Sequence, residues 1–424
     1  MPGKRLFSIS LIITIGILMS LFVSAAGAGN GPQLSDLEIL GKAIYFDQNL
    51  SINRNQACAA CHDPDWGWTG PDSATNAGGA VYEGSIAGRF GNRKPPSAAY
   101  ATVSPILYLD KSGLWVGGNF WDGRATGEKL GNPAADQAQG PFLNPAEQAL
   151  PDSACVVYRV CNAQNYPVSF EQVWGDTACD IDWPQNTDKM CEIEGKVIKL
   201  SLQDRYKSDQ AYDNIALSIA AFEGSYEVNA FTSKYDYSLK GMAKLTKEEQ
   251  LGYAIFQGKG KCKLCHLSSG QQPLFTDFTY DNLGVPKNPQ NPVYTYDPDF
   301  IDTGLGGYLK SLGYSEAVYM AEWGKVKVPT LRNVDLRPND GSIKAYAHNG
   351  YFKSLDDIVH FYNTRDVLPY CEDLSDPQEG ENCWPMPEVS DNVNTAELGN
   401  LGLTVREEKA LVTFLKTLSD GYQP

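Results

Sequence analysis

Histidine is scarce in this chain: four in 424 residues, and none between His62 and His266. Any histidine chemistry must come from His62, His266, His348 or His360. Positive charge is short as well. Lys and Arg number 35 against 51 Asp and Glu, a formal net charge of −16. That balance excludes a chain built to grip nucleic-acid phosphates and suits a basic soluble partner. Alternating strand patterns are sparse, and past residue 28 no run is apolar enough to span a bilayer. With 42% apolar and 20% charged residues, wholesale disorder, collagen and coiled coil are excluded. The length allows roughly one to three domains of about 150 residues.

What is present begins with an export pattern. Lys4 and Arg5 precede an apolar run from Leu6 to Val23 and the small residues Ser24 to Ala28. This order predicts a secretory signal over 1–28, with Ala26-Gly27-Ala28 at the cleavage site. A run of that length also reads as an uncleaved membrane anchor. Export places the chain in the periplasm, where disulfides persist.

The ten cysteines sort into two groups. Four belong to Cys58-Ala-Ala-Cys61-His62 and Cys262-Lys-Leu-Cys265-His266. C-x-x-C-H is the attachment site of c-type haem: two thioethers hold the porphyrin and the histidine supplies an axial nitrogen. Zinc would require further nearby ligands, so two copies predict two covalent haems. Cys155, Cys161, Cys179, Cys191, Cys371 and Cys383 remain as structural staples. Short loops close most readily, which favours 155–161, 179–191 and 371–383, with a longer-range pairing among the first four as the alternative.

Apolar periodicity predicts helices at Asp36 to Phe46, along Tyr212, Ile215, Ala216, Ile219 and Ala220, and over Leu355 to Asn363. Capping boxes at Thr246/Glu249 and Thr404/Glu407 open two more, running to about Phe256 and Leu418. Gly- and Pro-rich stretches at 63–98, 123–145 and 267–310 read as long connections, and no repeat beyond the haem motif is visible. The expected fold is mainly α: two cytochrome c-like mono-haem domains with long loops, at 29–200 and 201–424.

Several further motifs, in order, carry a family resemblance. Leu40-Gly-Lys-Ala-Ile-Tyr-Phe-Asp47, Phe120-Trp-Asp-Gly-Arg124, Gly140-Pro-Phe-Leu-Asn-Pro-Ala-Glu147 and Leu251 to Phe256 are four of them. Leu274-Phe-Thr-Asp277, Asn282 to Pro286, Val328 to Asn333 and His348-Asn-Gly350 continue the series. The chain thus resembles bacterial di-haem cytochrome c peroxidases from about 36 to 418, with inserts at 125–136, 151–195 and 370–390.

The resemblance implies a reactive first haem on His62, with Pro141 packed over it, Gln137 in its distal pocket and Glu147 as distal acid–base. The reductively activated branch closes this face with a histidine, which 62–266 does not contain. An open iron of the MauG-like branch is expected, with Lys94 the nearest alternative ligand. For the second haem, on His266, the family places its other ligand fourteen residues after the His-x-Gly histidine, here Tyr362. His360 and Met386 are rivals. On a helix, positions 360 and 362 point about 200° apart, so only one can face the iron. The resemblance further implies Trp121 as relay between the haems. It also implies a calcium ion held by an asparagine, at the position of Lys94 here, and by the carbonyls of Ile343 and Ala345. Asn92 is the substitute ligand.

The expected activity is reduction of hydrogen peroxide, with oxidising equivalents shared between the haems. Two alternatives stand beside it: oxidation of Trp or Tyr side chains in a partner protein, and electron carriage without catalysis. A small basic redox protein or a protein substrate is the expected partner, nucleic acid is not, and homodimerisation stays open.

Overall fold

Capping chemistry forms the helices where the sequence places them. The Ser35 hydroxyl accepts the Glu38 amide while the Glu38 carboxylate accepts the Ser35 amide, opening α1 (Asp36–Tyr45). Further along lie α2 (Pro133–Leu143), α3 (Ser153–Cys161) and α4 (Leu202–Glu223). The boxes at Thr246/Glu249 and Thr404/Glu407 both form; they start α5 (Lys247–Gln257) and, after α6 (Leu355–Thr364), α7 (Val405–Lys416). This computed structural model describes residues 32–424, and the expected signal segment lies outside the described residues. Among them no helix is long and apolar enough to cross a membrane.

The fold is mainly helical. Strand is confined, among the described residues, to two antiparallel pairs. β1 (Tyr108–Leu109) pairs with β2 (Trp115–Val116), and β3 (Tyr280–Asp281) with β4 (Val326–Lys327). The 123–145 stretch is not a plain connection, because α2 forms there with Gly140 and Pro141 inside it. Pro141 lacks the N–H that would bond the Gln137 carbonyl. The Asn132 side chain caps the helix start, and Ala134, Ala135, Ala138 and Phe142 bury its other face.

Leu34 to Pro424 forms one compact unit containing two large apolar cores. The first gathers α1, α3, α4 and part of α2 around Ile44, Tyr45, Phe142 and Phe222. The second gathers α5, α6 and α7 around Phe256, Phe361 and Phe414. Both are organised by the same crossing of helices, a repeat that the sequence hides. A Cβ on Gly41 of α1 would fall 1.9 Å from the Ser218 carbonyl oxygen of α4; one on Gly252 of α5 would fall 1.9 Å from the Ala410 carbonyl oxygen of α7. Only glycine allows either pair so close. Four residues on, Tyr45 meets Phe222 with ring centroids 5.4 Å apart, and Phe256 meets Phe414 at 5.3 Å. The remaining side chains of the two crossings differ, which is why no repeat shows in the sequence.

The disulfides join 155–191, 161–179 and 371–383. The third is as expected; the first two correct the short-loop pairing. Cys155 and Cys161 sit on one helix, α3, six residues apart. That separation is about 9 Å of helical rise, beyond the reach of a disulfide. Each instead meets a cysteine of the 170–195 segment, at Cα distances of 5.5 and 5.6 Å.

Candidate active site

Both C-x-x-C-H motifs open onto one cavity. Each starts as a single 3₁₀ turn, and His62 and His266 close it by donating their backbone N–H to the carbonyls of Cys58 and Cys262. The ring nitrogens Nδ1 lie 3.3 Å from the Trp68 carbonyl oxygen and 2.8 Å from that of Phe275. These contacts orient the rings and leave Nε2 as the remaining ligand atom. Burial lowers the pKa of both imidazoles, that of His62 to about 4, and so keeps the neutral form that can ligate iron. Cys58, Cys61, Cys262 and Cys265 are the free thiols among the described residues; the other six cysteines are paired. Four unpaired thiols and two neutral imidazoles around a mostly apolar cavity fit two covalently held haems.

Around Cys58, Cys61 and His62 the wall comes from α2 and the turn that follows it. Gln137 and Pro141 are one helical turn apart and both line the cavity, as does Glu147. Glu147 is placed by a tight local turn: its amide bonds the Asn144 carbonyl, and its Oε1 accepts the Asn144 side-chain amide at 2.6 Å. Burial raises its pKa, against the lowering effects of Asn144 and Arg124. Glu223, at the end of α4, also lines the cavity; it is 5% exposed, and burial pushes its pKa up to about 8. Sequence reading missed it. Its only signal is its position four residues after Ile219 on the face of α4 that lines the cavity.

Around Cys262, Cys265 and His266 the wall comes from α6 and α7. Tyr362 lines the cavity, and burial holds its phenol well above the usual range. His360 points the other way, its Nδ1 2.9 Å from Glu408 Oε1 on α7, and it does not line the cavity. Met386 is half-exposed and also outside. His348 does line it, with Nδ1 lacking a hydrogen-bond partner and Nε2 3.8 Å from Asp302. Two carboxylates that sequence reading did not single out, Asp281 and Glu397, approach Cys265 and share the Asn394 side-chain amide.

Trp121 is tied to both halves of the chain. Its indole N–H donates to the Lys94 carbonyl at 2.8 Å, and its own carbonyl accepts the Lys327 amide at 2.8 Å. Its ring stands edge-on to His348, centroids 6.4 Å apart. Asp122, the next residue, joins Arg93 and Arg124, and Arg93 also grips Asp302 through two bonds.

The calcium donor set does not fit. Lys94 places an amine where the asparagine oxygen would be, donating to Thr69 Oγ1 and the Pro95 carbonyl. The Ile343 carbonyl already accepts the Asn76 side-chain amide. Asn92 lies outside the cavity, its carbonyl taken by Asn291.

Known proteins resemble this chain along most of its length. Residues 35–244 match the family described as di-haem cytochrome c peroxidase. The methylamine utilization protein MauG of Paracoccus denitrificans is 33% identical, over 96% of this chain and 95% of that protein. The cytochrome-c peroxidase IdrP2 of Denitromonas iodatirespirans is 26% identical over 98% and 92%. Among solved structures, the di-haem peroxidase BthA from Burkholderia thailandensis superposes with a TM-score of 0.70 at 27% identity, covering 92% of this chain and 87% of that one.

Proposed function

Because this chain belongs to the di-haem cytochrome c peroxidase family, we propose that it is an exported, periplasmic enzyme of the MauG-like branch. In this reading it reduces hydrogen peroxide beside Glu147 and passes the oxidising equivalents to the His266/Tyr362 side through Trp121. One observation carries the reading. Gln137, Pro141 and Glu147 share a buried cavity with His62, and the cavity-lining residues include no histidine between 62 and 266 and no methionine.

Each residue then has a definite task. The four cysteines would hold the two haems, His62 and His266 would each supply a ligand nitrogen, and Tyr362 would be the further ligand on the His266 side. When bound, the haem supplies the electrons that cleave the O–O bond. Glu147 takes the proton from the inner peroxide oxygen and returns it to the outer one, which leaves as water. Its hydrogen bond from Asn144 fixes which oxygen is free to do so. Overall, one peroxide, two electrons and two protons give two waters. Gln137 and Pro141 shape the distal wall. Trp121, pinned from both halves, relays charge without needing to move. The electrons come from a small basic redox protein drawn to this acidic chain.

A second reading has its own support: the relative at 33% identity is a MauG protein, whereas the relative named as a peroxidase is at 26%. On that reading the oxidising equivalents are spent on Trp or Tyr side chains of a partner protein, which would change mass after peroxide treatment. The test common to both is paramagnetic resonance of the ferric holoprotein as isolated. One high-spin and one low-spin haem are expected. Two low-spin haems, with peroxide reactivity only after reduction, would overturn the open distal site.

A further inference from the structure

Three lysines line the cavity: Lys94 and Lys344, both buried, and Lys327 on β4, which is half-buried. A buried ammonium is costly unless an anion pairs it. Elsewhere this chain meets that demand: buried Arg332 has Asp236, and Arg93 has Asp122 and Asp302. The three cavity lysines have no carboxylate within salt-bridge distance among the described residues. Lys94 donates to Thr69 Oγ1 at 2.8 Å and the Pro95 carbonyl at 3.0 Å. Lys344 donates to the carbonyls of Asn333 at 2.7 Å and Leu336 at 3.0 Å. Lys327 donates to Ser104 Oγ at 2.6 Å, Asn119 Oδ1 at 3.1 Å and the Gly118 carbonyl. Every partner is a neutral oxygen. Lys94 and Lys344 are also close enough to repel each other.

The cavity does contain carboxylates, but they lie by the thiols. Glu223 and Glu147 act on Cys58, Glu147 on Cys61, and Asp281 and Glu397 on Cys265; no lysine figures among the charged neighbours of any of the four thiols. Acidic groups therefore gather beside the thiols and the lysines do not, although Lys94 acts on the adjacent His62 ring. A c-type haem has the matching polarity. Its thioethers form at the two vinyl carbons, and its two propionates leave from the opposite edge.

Two of the lysines also occupy corresponding places in the two halves. Lys94 stands two residues before Pro96, whose backbone flanks His62, and Lys327 stands two before Pro329, whose backbone flanks His266. Both are bonded through their main chains to Trp121.

We propose that Lys94, Lys327 and Lys344 are the counter-ions of the haem propionates, forming a cationic seam around Trp121 where a calcium ion does not fit. This rests on the two-haem reading. Without an anion, burial brings Lys94 and Lys327 down to about 7, a poised state that a propionate would resolve toward the charged form.

The test uses the purified holoprotein and its Lys94→Met, Lys327→Met and Lys344→Met variants, each with a Lys→Arg control. Haem content is measured first, and midpoint potentials are then measured against pH by spectroelectrochemistry. Losing the cation leaves a bare propionate, which favours ferric iron. We expect each Met variant to shift the equilibrium of at least one haem about tenfold toward the ferric form, ~59 mV for a one-electron couple. A steeper pH dependence should accompany that shift, and the Arg variants should restore the parental values. Two haems present with unchanged potentials in all three Met variants would overturn the proposal alone. A chain purified without two haems would overturn the functional reading and this proposal with it. Should a Met variant fail to fold, a crystal structure of the unaltered holoprotein decides. Ammonium nitrogens within about 4 Å of propionate oxygens support the proposal, and larger separations for all three overturn it.

Discussion

The two helix crossings, α1 with α4 and α5 with α7, are so alike that their glycines and aromatic partners correspond, yet the residue after the second aromatic differs. In the first half Phe222 is followed by Glu223; in the second, Phe414 is followed by Leu415, and both side chains line the cavity. The first half adds Glu147 and Gln137, and the second adds Tyr362, with Asp281 and Glu397 beside Cys265. The comparison separates two jobs. On the proposed reading the crossing would hold a porphyrin against a core in either half, and the few side chains reaching past it would decide between proton chemistry and ligation. On that reading, a shared scaffold would carry two environments, one with Glu147 to move protons and one closed by the Tyr362 phenol.

The sharpest way to break the contrast is to remove the proton carrier from the first half. Glu147→Gln keeps the shape and the Asn144 contact but cannot carry a proton at neutral pH. Stopped-flow absorbance after mixing with peroxide, at matched haem content, should slow by about 10²–10⁴-fold. A parental rate would shift the task to water or Gln137.

Next in size is an exchange on α6. Tyr362→Phe should change the axial ligation of the second haem, visible in its optical and resonance spectra with both haems still attached. His360→Ala should leave those spectra alone, because His360 faces Glu408 and not the cavity. The reverse pattern would transfer the ligand to His360.

If the two crossings are equivalent, Gly41→Ala and Gly252→Ala should cost similar amounts. Each new methyl falls on a backbone carbonyl that cannot move freely. Overpacking of this kind costs about 1–3 kcal/mol, read as a loss of thermal or denaturant stability. One tolerated substitution would show that the crossings are alike only in outline. The smallest effect is a null one: prolonged chelation with EGTA should change neither the resting spectra nor peroxide turnover, because Lys94 stands at the asparagine position and the Ile343 carbonyl is already engaged.

These contrasts were unevenly legible in the sequence. The haem motifs could be read directly, since five consecutive residues carry both the thioethers and the axial nitrogen. The capped helices were legible because Thr246/Glu249 and Thr404/Glu407 satisfy helix ends with local partners. The opposed directions of His360 and Tyr362 followed from helical rotation alone. The disulfides were not legible: proximity along the chain gives no hint that Cys155 and Cys161 are held apart by a helix. Lys327, Lys344 and Glu223 were missed for another reason. A charged residue outside any recognisable motif usually reads as solvated, and only tertiary packing shows that these three line the cavity.

The crossings also set an order of events in time. Each half begins with a crossing helix and ends with its partner, and the C-x-x-C-H motif lies between them. From His62 to the start of α4, and from His266 to the start of α7, the chain runs about 140 residues. At typical synthesis rates of ~5–20 residues per second, the closing helix follows its haem motif by roughly 7 to 28 s. Until it arrives, Gly41 or Gly252 has nothing to pack against, and the two thiols of that half stay open to whatever attaches the porphyrin. On the two-haem reading, attachment would therefore have to precede the packing of the closing helix in each half.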